Sequence, residues 1–374
     1  MKFTVSSAGL LSHLQAISRV INAKSSLPIL DNFLFKIEAG VLTLTASDLD
    51  TTLITNMEVS ASEGEGVIAI SAKILLDTLK EFSDQPIEFD INDSTLAIKM
   101  RSGSGDFNLI GQNGDEYPQI PSLADDAKSV TLPSSTLLSG ITKTLFATGD
   151  DALRQVMNGI FFDITTENIV FVASDSHKLV RVKTSAAQGS EACSFILPKK
   201  PTNLLKNILP KEEGTVALKF DSKNACFSLS NYTMYCRLIE GRFPNYNSVI
   251  PTANPYKALL DRAAFMNMLR RVSVFSNQAT NLIRLDFQTD SVTASAQDID
   301  FSVSAKETLA CQYEGEEMSI GFHSSFLIEI LANIDSTDVT IELSDPTRAG
   351  LFIPFNQESD EDSLMLLMPM SLND

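Results

Sequence analysis

The chain lacks most of what reaction chemistry and membranes leave in a sequence. It has no G-x-x-x-x-G-K-[ST] phosphate loop, no G-x-G-x-x-G, no G-x-S-x-G elbow and no H-E-x-x-H pair. Histidine is scarce, with three in 374 residues. Only His177, two residues after Asp175, invites a catalytic reading, and no matching base or nucleophile accompanies it. The four cysteines, Cys193, Cys226, Cys236 and Cys311, are scattered, with no C-x-x-C and no histidine at ligand spacing. They read as reduced structural thiols of a cytoplasmic protein that needs no metal and no cofactor. No apolar run approaches the roughly 18 residues of a membrane span, so no membrane partner is expected. The opening Met-Lys-Phe-Thr-Val reads as a strand before a helix rather than as a signal peptide. The acidic tract Glu358-Ser359-Asp360-Glu361-Asp362 reads as a solvated loop.

What the sequence does have is a repeat. Phe35 precedes Asp48 by thirteen residues, Phe162 precedes Asp175 by thirteen, and Phe287 precedes Asp298 by eleven. The Asp positions step by 127 and 123, and Pro118, Pro244 and Pro369 step by 126 and 125. Three units of domain size follow, 1–125, 126–252 and 253–374, with seams at the polar Asp125-Asp126-Ala127-Lys128 and at Pro251-Thr252-Ala253-Asn254-Pro255. The shared Asp reads as turn geometry, since Asp48 and Asp298 have no histidine two residues later.

Each unit opens on an amphipathic helix: Leu10, Leu11, Leu14, Ile17 and Ile21 in the first, Leu137, Leu138, Ile141 and Leu145 in the second, Phe265, Leu269 and Val272 in the third. A second helix follows later in each, within 72–82, 199–211 and 323–334. Stretches such as Leu42–Thr45, Ile87–Ile91 and Val216–Phe220 alternate with the period of a strand. The fold class is therefore α+β, with two helices on antiparallel sheet in every unit.

A formal net charge of −18 argues against a nucleic-acid partner if the charge is spread evenly. It is not. The helical stretches 8–22 and 134–148 hold no acid, and 199–211 holds four lysines and no acid. The six helical stretches together come to +7, leaving about −25 on the remainder. Solvated helix faces also collect lysine, but helices turned toward a polyanion on an otherwise acidic particle account for the whole pattern.

With these residues in view, the chain resembles the bacterial sliding-clamp family, the β subunit of DNA polymerase III, over its entire length. The resemblance rests on Met1–Val5, Leu27-Pro28-Ile29-Leu30, Asn158-Gly159, Ala173-Ser174-Asp175-Ser176-His177-Lys178-Leu179, Gly241-Arg242-Phe243-Pro244-Asn245-Tyr246, Ile320-Gly321-Phe322 and Met368-Pro369-Met370, in order. It implies a DNA-clamp fold of three domains closing as a head-to-tail homodimer ring with about six-fold pseudo-symmetry. Twelve helices spaced about 9–10 Å apart set a circle roughly 36 Å across through their axes. Subtracting about one helix diameter leaves ~25 Å, room for a duplex roughly 20 Å wide.

The resemblance implies a non-catalytic processivity factor that encircles double-stranded DNA without reading its sequence and tethers the replicative polymerase α subunit. Lys24, Lys199 and Lys200 would meet the DNA. Two positions beside Asn158-Gly159 that carry tyrosine in the family hold Gln155 and Val156 here. A peptide cleft for the polymerase, the clamp loader, repair proteins and other carriers of the clamp-binding motif would be lined by Met157, Ser174, His177, Lys178, Leu179, Pro244, Val249, Phe326, Met368, Pro369 and Met370. Against the family pattern, Ser176 replaces Gly, Lys178 replaces Arg, Ser248 replaces Arg, Phe326 replaces Tyr, and the tail Ser371-Leu372-Asn373-Asp374 differs, so an altered rim polarity is expected. Phe107 and Leu109 on an edge strand would meet Val274 and Phe275 of a second copy. A carboxylate-dependent hydrolase around the repeated Asp, or a repeat-built scaffold, are the alternatives.

Overall fold

The computed structural model describes residues 1–22 and 27–372. Six helices lie among them: α1 (Ser7–Ser18), α2 (Ala72–Leu79), α3 (Ser134–Thr144), α4 (Lys199–Ile208), α5 (Arg262–Ser273) and α6 (Ser324–Ala332). Each follows a strand without a loop, and in α1, α2 and α5 the side chain of the strand's last residue caps the helix. Ser6 accepts from the Gly9 N–H, Ser71 from Ile74 and Asp261 from Ala264. The helices stop short of the expected spans; α4 gives way to a single 3₁₀ turn containing Pro210, which has no N–H to continue the ladder. Leu10, Leu14 and Ile17 on α1 are buried, as are Phe265, Leu269 and Val272 on α5.

All strand pairs are antiparallel and form sheets of five, nine, nine and four strands. Contacts gather the chain into two groups. One holds Met1–Ser135 and Asn203–Leu238; the other holds Thr136–Thr202 and the chain from Ile239 on. The middle third is divided because two strand junctions draw on it. In the first group, Thr51–Glu58 pairs with Tyr232–Arg237 and makes one nine-stranded sheet. In the second, Lys178–Thr184 pairs with Glu361–Leu367 and makes the other. The five-stranded sheet of the first group ends at Gly105–Ile110, and the four-stranded sheet of the second ends at Val303–Ala310.

The repeat is real, but two of its marks are displaced. Asn32, Gly159 and Leu282 each pair with the residue just before α2, α4 or α6, and they step by 127 and 123 like the Asp residues. Three residues further stand Phe35, Phe162 and Leu285, all fully buried. Phe287 is two residues beyond Leu285 and so falls on the same face, because side chains alternate along a strand. That offset is the reason for a spacing of eleven rather than thirteen. The third proline is displaced too. Gln112, Ile239 and Met370 bond to the matched residues Ala69, Ile196 and Gly321. Pro118 and Pro244 come after that contact and Pro369 comes before it.

The shared Asp does one job three times. Asp48 Oδ1 accepts from the N–H groups of Asp50 and Thr51, Asp175 Oδ1 from His177 and Lys178, and Asp298 Oδ1 from Asp300 and Phe301. Two helical cations are turned to internal duties. Arg262 donates to the carbonyls of Ser336 at 2.7 Å and Leu331 at 3.0 Å, closing the end of α6. Lys143 meets Glu361 at 2.6 Å. The acidic tract is accordingly not a bare loop: Glu361 opens a strand, and Asp362 pairs with Arg181. Among the described residues there is no group of three or more His, Cys, Asp or Glu that could hold a metal ion, and no helix is long and apolar enough to cross a membrane.

Candidate functional site

The residues expected to line a peptide cleft all belong to the second group. The turn after Asp175 organises one set. Ser176 sits at φ +80°, a left-handed conformation that glycine adopts without strain. It is held by its own contacts: its Oγ donates to Met157 Sδ at 3.3 Å and accepts from Arg154, which also meets Asp151 at 2.8 Å. The Ser174 hydroxyl donates to the Lys178 carbonyl at 2.9 Å and accepts from the Ser176 N–H, tying the turn to its strand.

Lys178 is not on the rim. It is 5% exposed, and its Nζ lies 2.7 Å from Asp175 and 3.0 Å from Glu329 on α6. Burial works against both charges. For Asp175 the hydrogen bonds from Lys178 and the two backbone N–H groups outweigh it and hold the carboxyl below its ordinary range. For Lys178 the two carboxylates outweigh burial and hold the ammonium above its ordinary range. The same Nζ stands 4.5 Å from the centre of the Phe326 ring. Phe326 also stacks with His177 at 5.5 Å and with His323 at 4.3 Å. His323 is pushed toward neutrality by burial first, then by His177 and Lys178. Its Nδ1 is buried with no hydrogen-bond partner among the described residues.

The second set is apolar. Leu179 is buried in a cluster with Val170, Val172, Ile196, Phe243, Tyr246 and Leu366, against which Val156 and Ile250 pack partly exposed. Phe243 stacks on Phe161 at 4.8 Å, and the Tyr246 hydroxyl donates to Asp163 at 2.8 Å. Between those two anchors Pro244 is exposed, and Val249 beyond them is 53% exposed. The last strand joins the two sets: Leu366 pairs with Leu179, and the Met368 N–H donates to the His177 carbonyl at 2.9 Å. Met370 donates to the Gly321 carbonyl at 2.8 Å. A Cβ at Gly321 would come within 2.7 Å of the Met370 oxygen, so only glycine lets the tail approach.

The arrangement offers an apolar surface bordered by methionine, proline and stacked rings, with its one buried cation fully neutralised. It can hold an apolar peptide, and its Ser174 and Ser176 hydroxyls donate to the Lys178 carbonyl and to Met157 Sδ rather than to a base. Sequence reasoning missed Glu329, His323, Phe243, Tyr246 and Ile250. Only Phe243 and Tyr246 carried a signal, as aromatics flanking Pro244.

Lys199 and Lys200 are the first two residues of α4, and Lys199 pairs with Asp150. Lys24 lies outside the described residues. Arg19 and Lys211 line a cavity of about 110 Å³ together with Gln15, Asn207 and Tyr232. Phe107 and Leu109 lie on the outermost strand of the five-stranded sheet, where Phe107 packs edge-on against Phe82. Ile110 on that strand is 81% exposed, and Val274, just past α5, is 77% exposed with Phe275 beside it.

Comparison with known proteins covers the whole chain. Three family models match in tandem, described as the DNA polymerase III beta subunit N-terminal domain over residues 1–121, central domain over 131–245 and C-terminal domain over 247–371. The beta sliding clamp of Synechococcus elongatus is 28% identical over 384 residues, with 100% of each chain covered. That of Halalkalibacterium halodurans is 29% identical over 390 residues, covering 99% of each. Among solved structures, a sliding clamp from Pseudomonas aeruginosa bound to griselimycin superposes with a TM-score of 0.93 at 25% identity over 100% of both chains. One from Bartonella birtlesii bound to griselimycin gives 0.90 at 28%, again over 100% of both. The chain belongs to the DNA polymerase III beta subunit family, the bacterial sliding clamps.

Proposed function

We propose that two copies of this chain close head to tail around duplex DNA in the cytoplasm and hold the replicative polymerase there. The single observation that carries the reading is the match of the whole chain, in three successive units, to a family whose members are clamps. A clamp has no reaction of its own; it acts by topology, and its contacts to DNA are electrostatic and interchangeable along the duplex. Lys199, Lys200 and Lys24 are the proposed phosphate contacts. Domain limits at 1–125, 126–252 and 253–374 give each copy three units.

The proposed cleft takes short apolar peptides of the polymerase α subunit, the clamp loader and other motif-bearing proteins. Leu179, Pro244, Val249, Met157 and Met370 form its apolar part, with His177, Ser174, Phe326, Met368 and Pro369 beside them and Lys178 beneath. Methionine suits a site that must repack around many partners. The unpaired outer strand at Phe107 and Leu109, with Val274 and Phe275 at the other end of the chain, supports closure between copies. Leaving such edges open invites uncontrolled association.

Loading on nicked circular DNA tests the function. The expected result is retention on the circle and loss after linearisation. Equal retention on both forms would mark an ordinary DNA binder and reject the clamp.

A further inference from the structure

Lys199 opens α4 at a place where the repeat does not call for a cation. The matched first residues of α2 and α6 are Ala72 and Ser324, both buried. A helix start is the positive end of its dipole, so a lysine there costs stability rather than adding it. The first turn of α4 holds no acid to offset that cost. The offsetting charge comes from far earlier in the chain: Asp150 Oδ1 lies 2.5 Å from the Lys199 ammonium.

The two partners are held unequally. The Lys199 side chain is 30% exposed and the Asp150 side chain 87% exposed. The ammonium is therefore anchored by its packed stem, while the carboxylate stands in solvent and can leave. Nor does Asp150 shape the loop that carries it. That loop is closed by the Gly149 N–H on the Met157 carbonyl at 2.7 Å and by the Asn158 amide on the Asp151 carbonyl at 3.0 Å. The Asp151 carboxylate takes the turn bonds, accepting from the Leu153 N–H and from Arg154 Nε, each at 2.8 Å. Two adjacent aspartates thus divide the work: one folds the loop, and the other reaches the helix. The placement runs against the local charge, because the stretches 134–148 and 199–211 hold no acid.

Resting on the reading of Lys199 as a phosphate contact, we propose that Asp150 is its built-in competitor. In the free chain the carboxylate fills the place that a DNA phosphate takes on Lys199. A phosphate must displace it, so the contact is worth less than an unscreened lysine would give. As the duplex moves, Lys199 passes from one phosphate to the next and Asp150 returns in the interval. The energy of Lys199 then differs little between the two states, and the contact neither grips nor brakes the duplex. Asp150 acts through Lys199 and needs no contact with DNA of its own.

Fluorescence anisotropy of the full chain on a short linear duplex, between about 50 and 200 mM salt, tests the competition. Asp150→Asn should tighten binding about threefold at the lower salt and steepen the salt dependence of log K by about one per chain. Glu358→Gln, which removes an equal charge from an exposed position in the acidic tract, should change neither. In a Lys199→Gln background Asp150→Asn should have no effect. If Asp150→Asn leaves affinity and slope unchanged while Lys199→Gln weakens binding, the competitor is overturned and the contact stands. An equal gain with and without Lys199 would also overturn it, as an effect of bulk charge. If Lys199→Gln weakens binding in neither the parent nor the Asp150→Asn chain, the phosphate contact itself falls, and the competitor with it.

Discussion

The turn after Asp48 and the turn after Asp175 have the same backbone and different uses. Each carboxylate gathers two N–H groups, each next residue sits near φ +80° (Leu49 at 81°, Ser176 at 80°), and each turn accepts one distant backbone bond. They part at the residue that opens the outgoing strand. In the first it is Thr51, a buried neutral side chain; in the second it is Lys178, a buried cation. A buried cation has to be answered by carboxylates, so the second turn is tied to Glu329 of α6, and α6 brings Phe326 and its cap residue His323 against the turn's own His177. The repeat therefore supplies a backbone scaffold, and a single residue choice decides whether the scaffold becomes a site.

Removing that choice should have the largest effect. Lys178→Met leaves Asp175 and Glu329 facing each other without their cation. Loss of a buried partner costs on the order of 3 kcal/mol. A urea unfolding midpoint that moves by less than the equivalent of about 1 kcal/mol would mean that the triad does not hold the turn to α6. Lys178→Arg, which keeps the charge, should recover most of the loss.

The apolar half of the site should give the next largest effect. Leu179→Ala and Met370→Ala should each weaken a fluorescent peptide of the Gln-Leu-x-Leu-Phe type about tenfold, or ~1.4 kcal/mol. Leu49→Ala, at the matching turn of the first unit, should leave the affinity unchanged. Equal affinity in all three variants would remove the peptide from this surface.

Much of this was legible beforehand because it follows from local pattern. The six helices, the antiparallel strands and the role of the repeated Asp all come from periodicity and turn chemistry over a few residues. The displaced Phe287 shows the limit: a strand repeats every two residues, so a mark two places off still falls on the buried face and still looks like a match. Lys178 shows another. From its neighbours it reads as a rim residue, and only the approach of Glu329, far along the chain, makes it a buried one. His323 gave no local signal, because its position is defined by a ring and a cation that arrive from elsewhere.

The smallest effect should come from His323, which separates the third unit from the first at another matched position. Ser71 caps α2 with its hydroxyl, whereas His323 occupies the cap of α6 without a side-chain hydrogen bond and stacks on Phe326 instead. Burial, His177 and Lys178 keep its imidazole below its ordinary value of 6.5 in the folded chain, with Asp175 and Glu329 compensating Lys178 nearby. The unfolded chain then takes up the proton first on acidification. The contribution of this group is complete above the unfolded value and is lost as pH falls from there through the folded one. His323→Asn retains a capping residue and removes the titration. Between pH 7 and pH 5 the parent's thermal midpoint should therefore fall further than the variant's. Parallel pH profiles would show that the ring pair is a packing device alone, and would leave the second cap differing from the first in shape but not in its response to protons.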